Sequence, residues 1–150
     1  MYYRPDDSMT RQEFVVAMMR AQNVDLSRYG ETQLPFADTD KIASWALDAM
    51  KAAYELGYFT GSGRGEKLYA EPADTITREA AMTILARTIS AQSDSAALEA
   101  FSDVNRVSSW AKPALTAMVE KEIINGINGQ LQPQGKVTRA QVAKMLYAMQ

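Results

Sequence analysis

Apolar side chains recur at helical spacing in five stretches of the chain, with polar and turn-forming residues between them. Phe14, Ala17, Met18 and Ala21 fall at i, i+3, i+4 and i+7, the stripe of an amphipathic helix. Thr10 stands in front of it as N-cap, and Glu13 three residues on completes a Thr-x-x-Glu capping box. This predicts a helix from Thr10 to Gln22 or Asn23. A second stripe holds Ile42, Trp45, Ala46, Ala49, Met50, Ala53 and Tyr54, with Gly57 as its C-terminal stop. Ala81, Ile84, Leu85 and Thr88 form a third stripe. Val107, Trp110, Ala111, Leu115, Met118 and Val119 form a fourth, and Val142, Met145, Leu146 and Met149 a fifth. Pro113 is compatible with the fourth only if that helix starts close by, since an interior proline costs ~3 kcal/mol. The methionines mostly fall on these stripes and read as core filler. The pattern predicts an all-α chain.

The helices are ordered by a repeat. Thr10-Arg11-Gln12-Glu13 returns as Thr77-Arg78-Glu79-Ala80 and as Thr138-Arg139-Ala140-Gln141, each with a proline five residues before the threonine: Pro5, Pro72 and Pro133. Phe36-Ala37-Asp38 and Ser44-Trp45-Ala46 return 65 residues later as Phe101-Ser102-Asp103 and Ser109-Trp110-Ala111. A glycine-ended turn follows in both copies, Tyr58-Phe59-Thr60-Gly61 and Ile123-Ile124-Asn125-Gly126. A period of this size marks a repeated supersecondary unit. Residues 1–23 read as the second half of a first repeat, 24–35 as a linker, 36–92 as a second repeat, 93–100 as a linker and 101–150 as a third. The chain is thus expected to begin inside a repeat, with any signal peptide outside it, because the opening Met1-Tyr2-Tyr3-Arg4-Pro5-Asp6 has no apolar signal core.

Composition narrows the chemistry. Cysteine and histidine are both absent, which removes thiol nucleophiles, Cys/His zinc sites and histidine general bases. A net charge of −2 lacks the basic excess that a nucleic-acid surface needs. No apolar run approaches the ~20 residues of a membrane span. A glycosidase would need an acid of raised pKa beside an ionised partner, and the few recurring carboxylates sit at helix starts. No enzyme, metal or cofactor is expected.

In family order, the Phe-x-Asp start, Trp-Ala helix, glycine turn, proline and Thr-Arg helix start resemble the S-layer homology domain of bacterial surface proteins, over nearly the whole chain. The resemblance implies tandem helix-loop-helix repeats packed with approximate three-fold symmetry. It also implies non-covalent anchoring of a cargo domain or S-layer lattice to the cell wall. The partner so implied is an acidic secondary cell-wall polysaccharide, often carrying a pyruvate ketal, held in grooves between repeats. None of the three tetrads is the family's Thr-Arg-Ala-Glu, and Glu122 replaces the glycine found at Gly57. The incomplete first repeat raises completion by a second copy of the chain as an expectation.

The resemblance makes Arg11, Arg78 and Arg139 the residues that meet the sugar carboxylate. Independently, threonine at N-cap puts each arginine at the first helical position, where the dipole is already positive, so a docked anion would relieve both. The competing reading pairs each arginine with an internal acid such as Asp38 or Asp103, stapling repeats together. Asp38 and Asp103 either cap the turn that follows them or accept sugar hydroxyls. Trp45 and Trp110, on the apolar stripe, are expected to pack in the core, with an indole edge free to stack on sugar. Gly61 and Gly126 supply a positive φ or admit ligand to the main chain. Gly63-Arg64-Gly65 reads as a surface loop. The alternative function is a purely structural or protein–protein helical module.

Overall fold

The computed structural model describes residues 5–150. They form two compact units, Met9–Thr75 and Ile76–Gln150 with residues 5–8. As expected, the secondary structure is mainly helical.

In the Met9–Thr75 unit, α1 (Arg11–Ala21) packs against α2 (Ser44–Glu55). The capping box forms: Thr10 Oγ accepts from the Glu13 N–H at 3.2 Å, and the Thr10 N–H donates to Glu13 Oε1 at 2.8 Å. The buried face of α1 carries Gln12, Phe14, Val15, Met18 and Met19, while Ala17 is half-buried and Ala21 exposed. The expected stripe is therefore rotated toward Val15 and Met19, whose larger apolar surfaces gain more by burial than an alanine does, roughly 1.5–3 kcal/mol each. A 3₁₀ turn at Leu26–Tyr29 sits within the connection.

Trp45 departs from expectation: it is 59% exposed, and Ala46, Ala49, Met50, Ala52 and Ala53 make the buried face of α2. A helical side chain leans back over the preceding turn. Trp45 is the second residue of α2, so its indole has no turn beneath it. Trp110 is likewise 57% exposed, because it precedes its helix altogether. Core packing is thus wrong for both tryptophans.

Beyond α2, Gly57 takes φ +83° and ends the helix. Phe36 meets Tyr54 and Phe59 edge-on, with ring centroids 5.8 and 5.7 Å apart. The stretch read as a loop around Gly63-Arg64-Gly65 is a hairpin: β1 (Ser62–Arg64) pairs antiparallel with β2 (Lys67–Tyr69), Arg64 opposite Lys67. Gly65, at φ +65°, opens its two-residue turn. Neither three-residue strand shows a β-branched or alternating pattern, which is why periodicity does not reveal the hairpin.

In the other unit α3 (Arg78–Thr88) packs on α4 (Lys112–Glu120), and α5 (Arg139–Ala148) completes the helices. Ile76, Leu85, Leu115, Met118, Leu131 and Val137 are fully buried. Pro113 is the second residue of α4, where its missing N–H costs nothing. It also delays the helix: α2 begins at Ser44, but α4 begins three residues after the corresponding Ser109. In place of the hairpin there is a single bridge, Ile127 to Gln130, around Asn128 and Gly129, which both have positive φ. Asn-Gly is the usual signature of such a turn.

Candidate functional site

The three tetrad helices begin alike. The Arg11 N–H donates to Asp74 O at 2.8 Å and the Gln12 N–H to Pro72 O at 3.1 Å. The Arg78 N–H donates to Gly135 O at 2.8 Å and the Glu79 N–H to Pro133 O at 2.9 Å. The Arg139 and Ala140 N–H groups donate to Asp7 O and Pro5 O, both at 3.1 Å. The third N–H of each helix goes to the threonine hydroxyl. Helix starts leave these donors open, and here the chain's own carbonyls close them. This corrects the expectation of an anion docked on the helix N–H groups, since those donors are taken. It also explains the repeated prolines, whose carbonyls accept at fixed φ. At α5 the segment Pro5–Asp7 of the same chain does this, so no second copy is needed there.

The side chains of Arg11 and Arg78 follow one plan. Arg11 Nε donates to Ala70 O at 3.0 Å, with its guanidinium over the Phe59 ring at 5.2 Å. Arg78 Nε donates to Leu131 O at 3.3 Å, and the residue is 8% exposed. The expected pairing of these arginines with Asp38 and Asp103 gives way to something else. Asp38 accepts from the N–H groups of Ala70 and Glu71 at 2.8 and 2.9 Å, and Asp103 from those of Leu131 and Gln132, both at 2.8 Å. Neither aspartate caps the turn after it, so that reading is also corrected. A single peptide thus lies between acid and base: its N–H on the carboxylate, its C=O on the guanidinium. Arg139 is half-buried at the start of α5.

Burial pushes the Arg11 guanidinium below its usual pKa, and the nearby Glu71, Asp74 and Asp38 carboxylates push back. Arg78 is shifted down by burial. Both remain cations, because guanidinium does not lose its proton in proteins. Arg78 is therefore a buried charge whose Nε is held by a neutral carbonyl, an arrangement that favours an approaching anion.

The residue after each arginine ties helix to helix. Gln12 Oε1 accepts from the Ala43 N–H at 2.9 Å. Its counterpart Glu79, 4% exposed, accepts from the Ser108 N–H at 2.9 Å and the Ser108 hydroxyl at 2.6 Å. The stapling assigned to the arginine belongs here to its neighbour.

Each unit has an open cleft at this place. One of about 420 Å³ is lined by residues including Asp38, Lys41, Arg64, Tyr69, Glu71 and Asp74. The other, about 590 Å³, is lined by residues including Asp103, Arg106, Gln130, Gln132, Gln134 and Gly135. Of the expected site residues, Asp38 and Asp103 line them. Arg78 lies behind the wall, its Cδ 3.3 Å from where a Cβ on Gly135 would stand. Trp45 and Trp110 line neither cleft. Gly61 (φ +74°) and Gly126 (φ +80°) are filled against by the protein itself: a Cβ on either would come 2.5 Å from the Phe36 or Phe101 ring. The lining cations Lys41, Arg64 and Arg106 were missed. Lys41 and Arg106 share the 65-residue offset of the Phe-x-Asp motifs, a signal that was there to be used.

The S-layer homology domain family matches residues 35–82 and 100–143. An amylopullulanase of Thermoanaerobacterium thermosulfurigenes is 31% identical over 98% of this chain and 8% of that protein. Exoglucanase XynX of Acetivibrio thermocellus is 31% identical over 98% of this chain and 13% of its own length. An S-layer protein of Bacillus thuringiensis subsp. finitimus is 28% identical over 68% of this chain and 12% of that protein. The chain thus spans only a small part of the relatives it matches, and what gives the enzymes their names lies mostly outside the shared stretch. Among the described residues, no helix is long and apolar enough to cross a membrane. With the family matched in both units, this chain belongs to the S-layer homology domain family, whose members are non-catalytic modules that anchor proteins at the bacterial cell wall.

Proposed function

We propose that the chain holds an acidic secondary cell-wall polysaccharide, such as a pyruvylated one, in the clefts beside Asp38 and Asp103. The observation that carries this reading is Arg78: a buried cation, held through Nε by a neutral carbonyl, behind a polar cleft that adds Arg106. Amides and hydroxyls of Ser102, Asn105, Gln130, Gln132 and Gln134 line the rest, suitable partners for sugar hydroxyls. Arg11 backs the Asp38 cleft in the same way, and Arg139 is the third cation of the set. The exposed indoles of Trp45 and Trp110 offer apolar faces for sugar outside the clefts. Anchoring is the work of this stretch; catalytic or lattice-forming cargo belongs to other parts of a longer polypeptide, as the small shared fraction of the relatives supports.

The closed helix starts favour a second reading, a structural module whose tetrads serve only to join repeats. Sedimentation with native cell walls, and with walls stripped of their polysaccharide, separates the two. Anchoring predicts pull-down by native walls that is lost on stripping. Pull-down by neither preparation rejects glycan binding and leaves the structural module.

A further inference from the structure

The two clefts share one plan but not one charge. Glu71 and Gln132 occupy the same place, with φ +49° and +51° and N–H groups on the second oxygen of Asp38 and Asp103. Asp74 corresponds to Gly135, since each gives its carbonyl to the N–H of a tetrad arginine at 2.8 Å. Lys41 corresponds to Arg106. Asp38 and Asp103 each spend both oxygens on main-chain N–H groups. Beyond those engaged carboxylates, Glu71 and Asp74 line one cleft together with Lys41 and Arg64, and Arg106 lines the other. Arg64 comes from the hairpin, which the other unit lacks. It is ion-paired with Glu71, and its guanidinium lies over the Tyr69 ring at 5.7 Å.

We propose that the clefts divide the glycan between them: the Arg106 cleft takes its carboxylate-bearing residue, and the Arg64–Glu71 cleft excludes that residue and takes an uncharged pyranose beside Tyr69. A carboxylate entering the latter must displace Glu71 from Arg64 and then lie against Glu71 and Asp74, whose like charges repel it. In the Arg106 cleft the corresponding positions are an amide and a glycine. Arg11 backs one cleft and Arg78 the other, so the difference comes from the lining. The inference rests on the clefts being glycan sites.

Isothermal titration with a pyruvate-ketal methyl hexoside and its uncharged methyl ester tests it. The wild type should bind the acid at one site per chain. Arg106→Ala should weaken that site about tenfold, the loss of one charge-assisted contact. Lys41→Ala should leave it unchanged. Glu71→Gln, which copies Gln132, should open a second site for the acid. Equal losses from Lys41→Ala and Arg106→Ala, or no second site in Glu71→Gln, would overturn the division while leaving glycan binding intact. Binding of neither probe by the wild type would overturn the glycan reading and the division with it.

Discussion

Glu79 on α3 holds Ser108 by two hydrogen bonds, from the N–H at 2.9 Å and from the hydroxyl at 2.6 Å. Because Glu79 is 4% exposed, water cannot readily replace either bond. Glu79→Ala should cost about 3 kcal/mol, the sum of lost charge-assisted bonds and a stranded N–H. Glu79→Gln should cost about 1 kcal/mol, since Gln12 already fills the same role toward Ala43 with an amide. Urea midpoints at constant m-value measure both. Equal losses in the two variants would refute the hydrogen-bond account.

Arg78 separates stability from binding. Burying its charge costs stability, and the bond from its Nε to the Leu131 carbonyl offsets part of that cost. Arg78→Met keeps the stem beside Gly135 and removes the charge. Its unfolding free energy should fall by no more than about 1–2 kcal/mol, because relief from burying a charge is set against the Leu131 carbonyl left without its donor. Retention on native cell walls should fall by about 1.5–3 kcal/mol in binding free energy. A variant that loses stability and keeps wall binding would assign Arg78 to the fold alone.

The Phe rings make Gly61 and Gly126 intolerant of any side chain. An added Cβ would meet the ring at 2.5 Å and a main-chain oxygen at 2.8 Å (Tyr69) or 2.9 Å (Gln130). The positive φ adds roughly 1–2 kcal/mol for a non-glycine residue. Gly126→Ala should therefore destabilise its unit by about 3 kcal/mol or more. Thermal unfolding followed by far-ultraviolet circular dichroism tests this, and a loss below about 1 kcal/mol would show that Phe101 moves aside freely.

Local sequence carried the helices well. Thr10 with Glu13 located the start of α1, and Pro113 implied a helix beginning beside it, because caps and prolines act within a few residues. The repeat was legible too, since the offset from Asp38 to Asp103 equals that from Trp45 to Trp110. What failed was long-range. The use of Asp38 became visible only with Ala70, 32 residues away, at hydrogen-bond distance. The occupation of the helix starts depended on Pro72, Pro133 and Pro5 arriving from elsewhere in the chain. Trp45 misled because periodicity records a face of the helix but not whether a turn lies beneath the side chain.

Glu122 gives the last prediction, and it turns on backbone conformation alone. It is exposed, sits just past the end of α4 at φ +60°, and stands where Gly57 stands at φ +83° after α2. Glutamate pays for the left-handed conformation, roughly 1–2 kcal/mol, which glycine avoids. Glycine also adds freedom to the unfolded chain, which returns about 0.4–1 kcal/mol of that gain. Glu122→Gly should therefore stabilise by about 0.5–1 kcal/mol. The mirror change, Gly57→Ala, should destabilise by about 1 kcal/mol, since nothing lies within 4 Å of the added Cβ and only the backbone cost remains. Paired thermal melts of the two variants measure opposite shifts. Destabilisation by Glu122→Gly would mean that the Glu122 side chain makes a contact worth more than the strain it imposes.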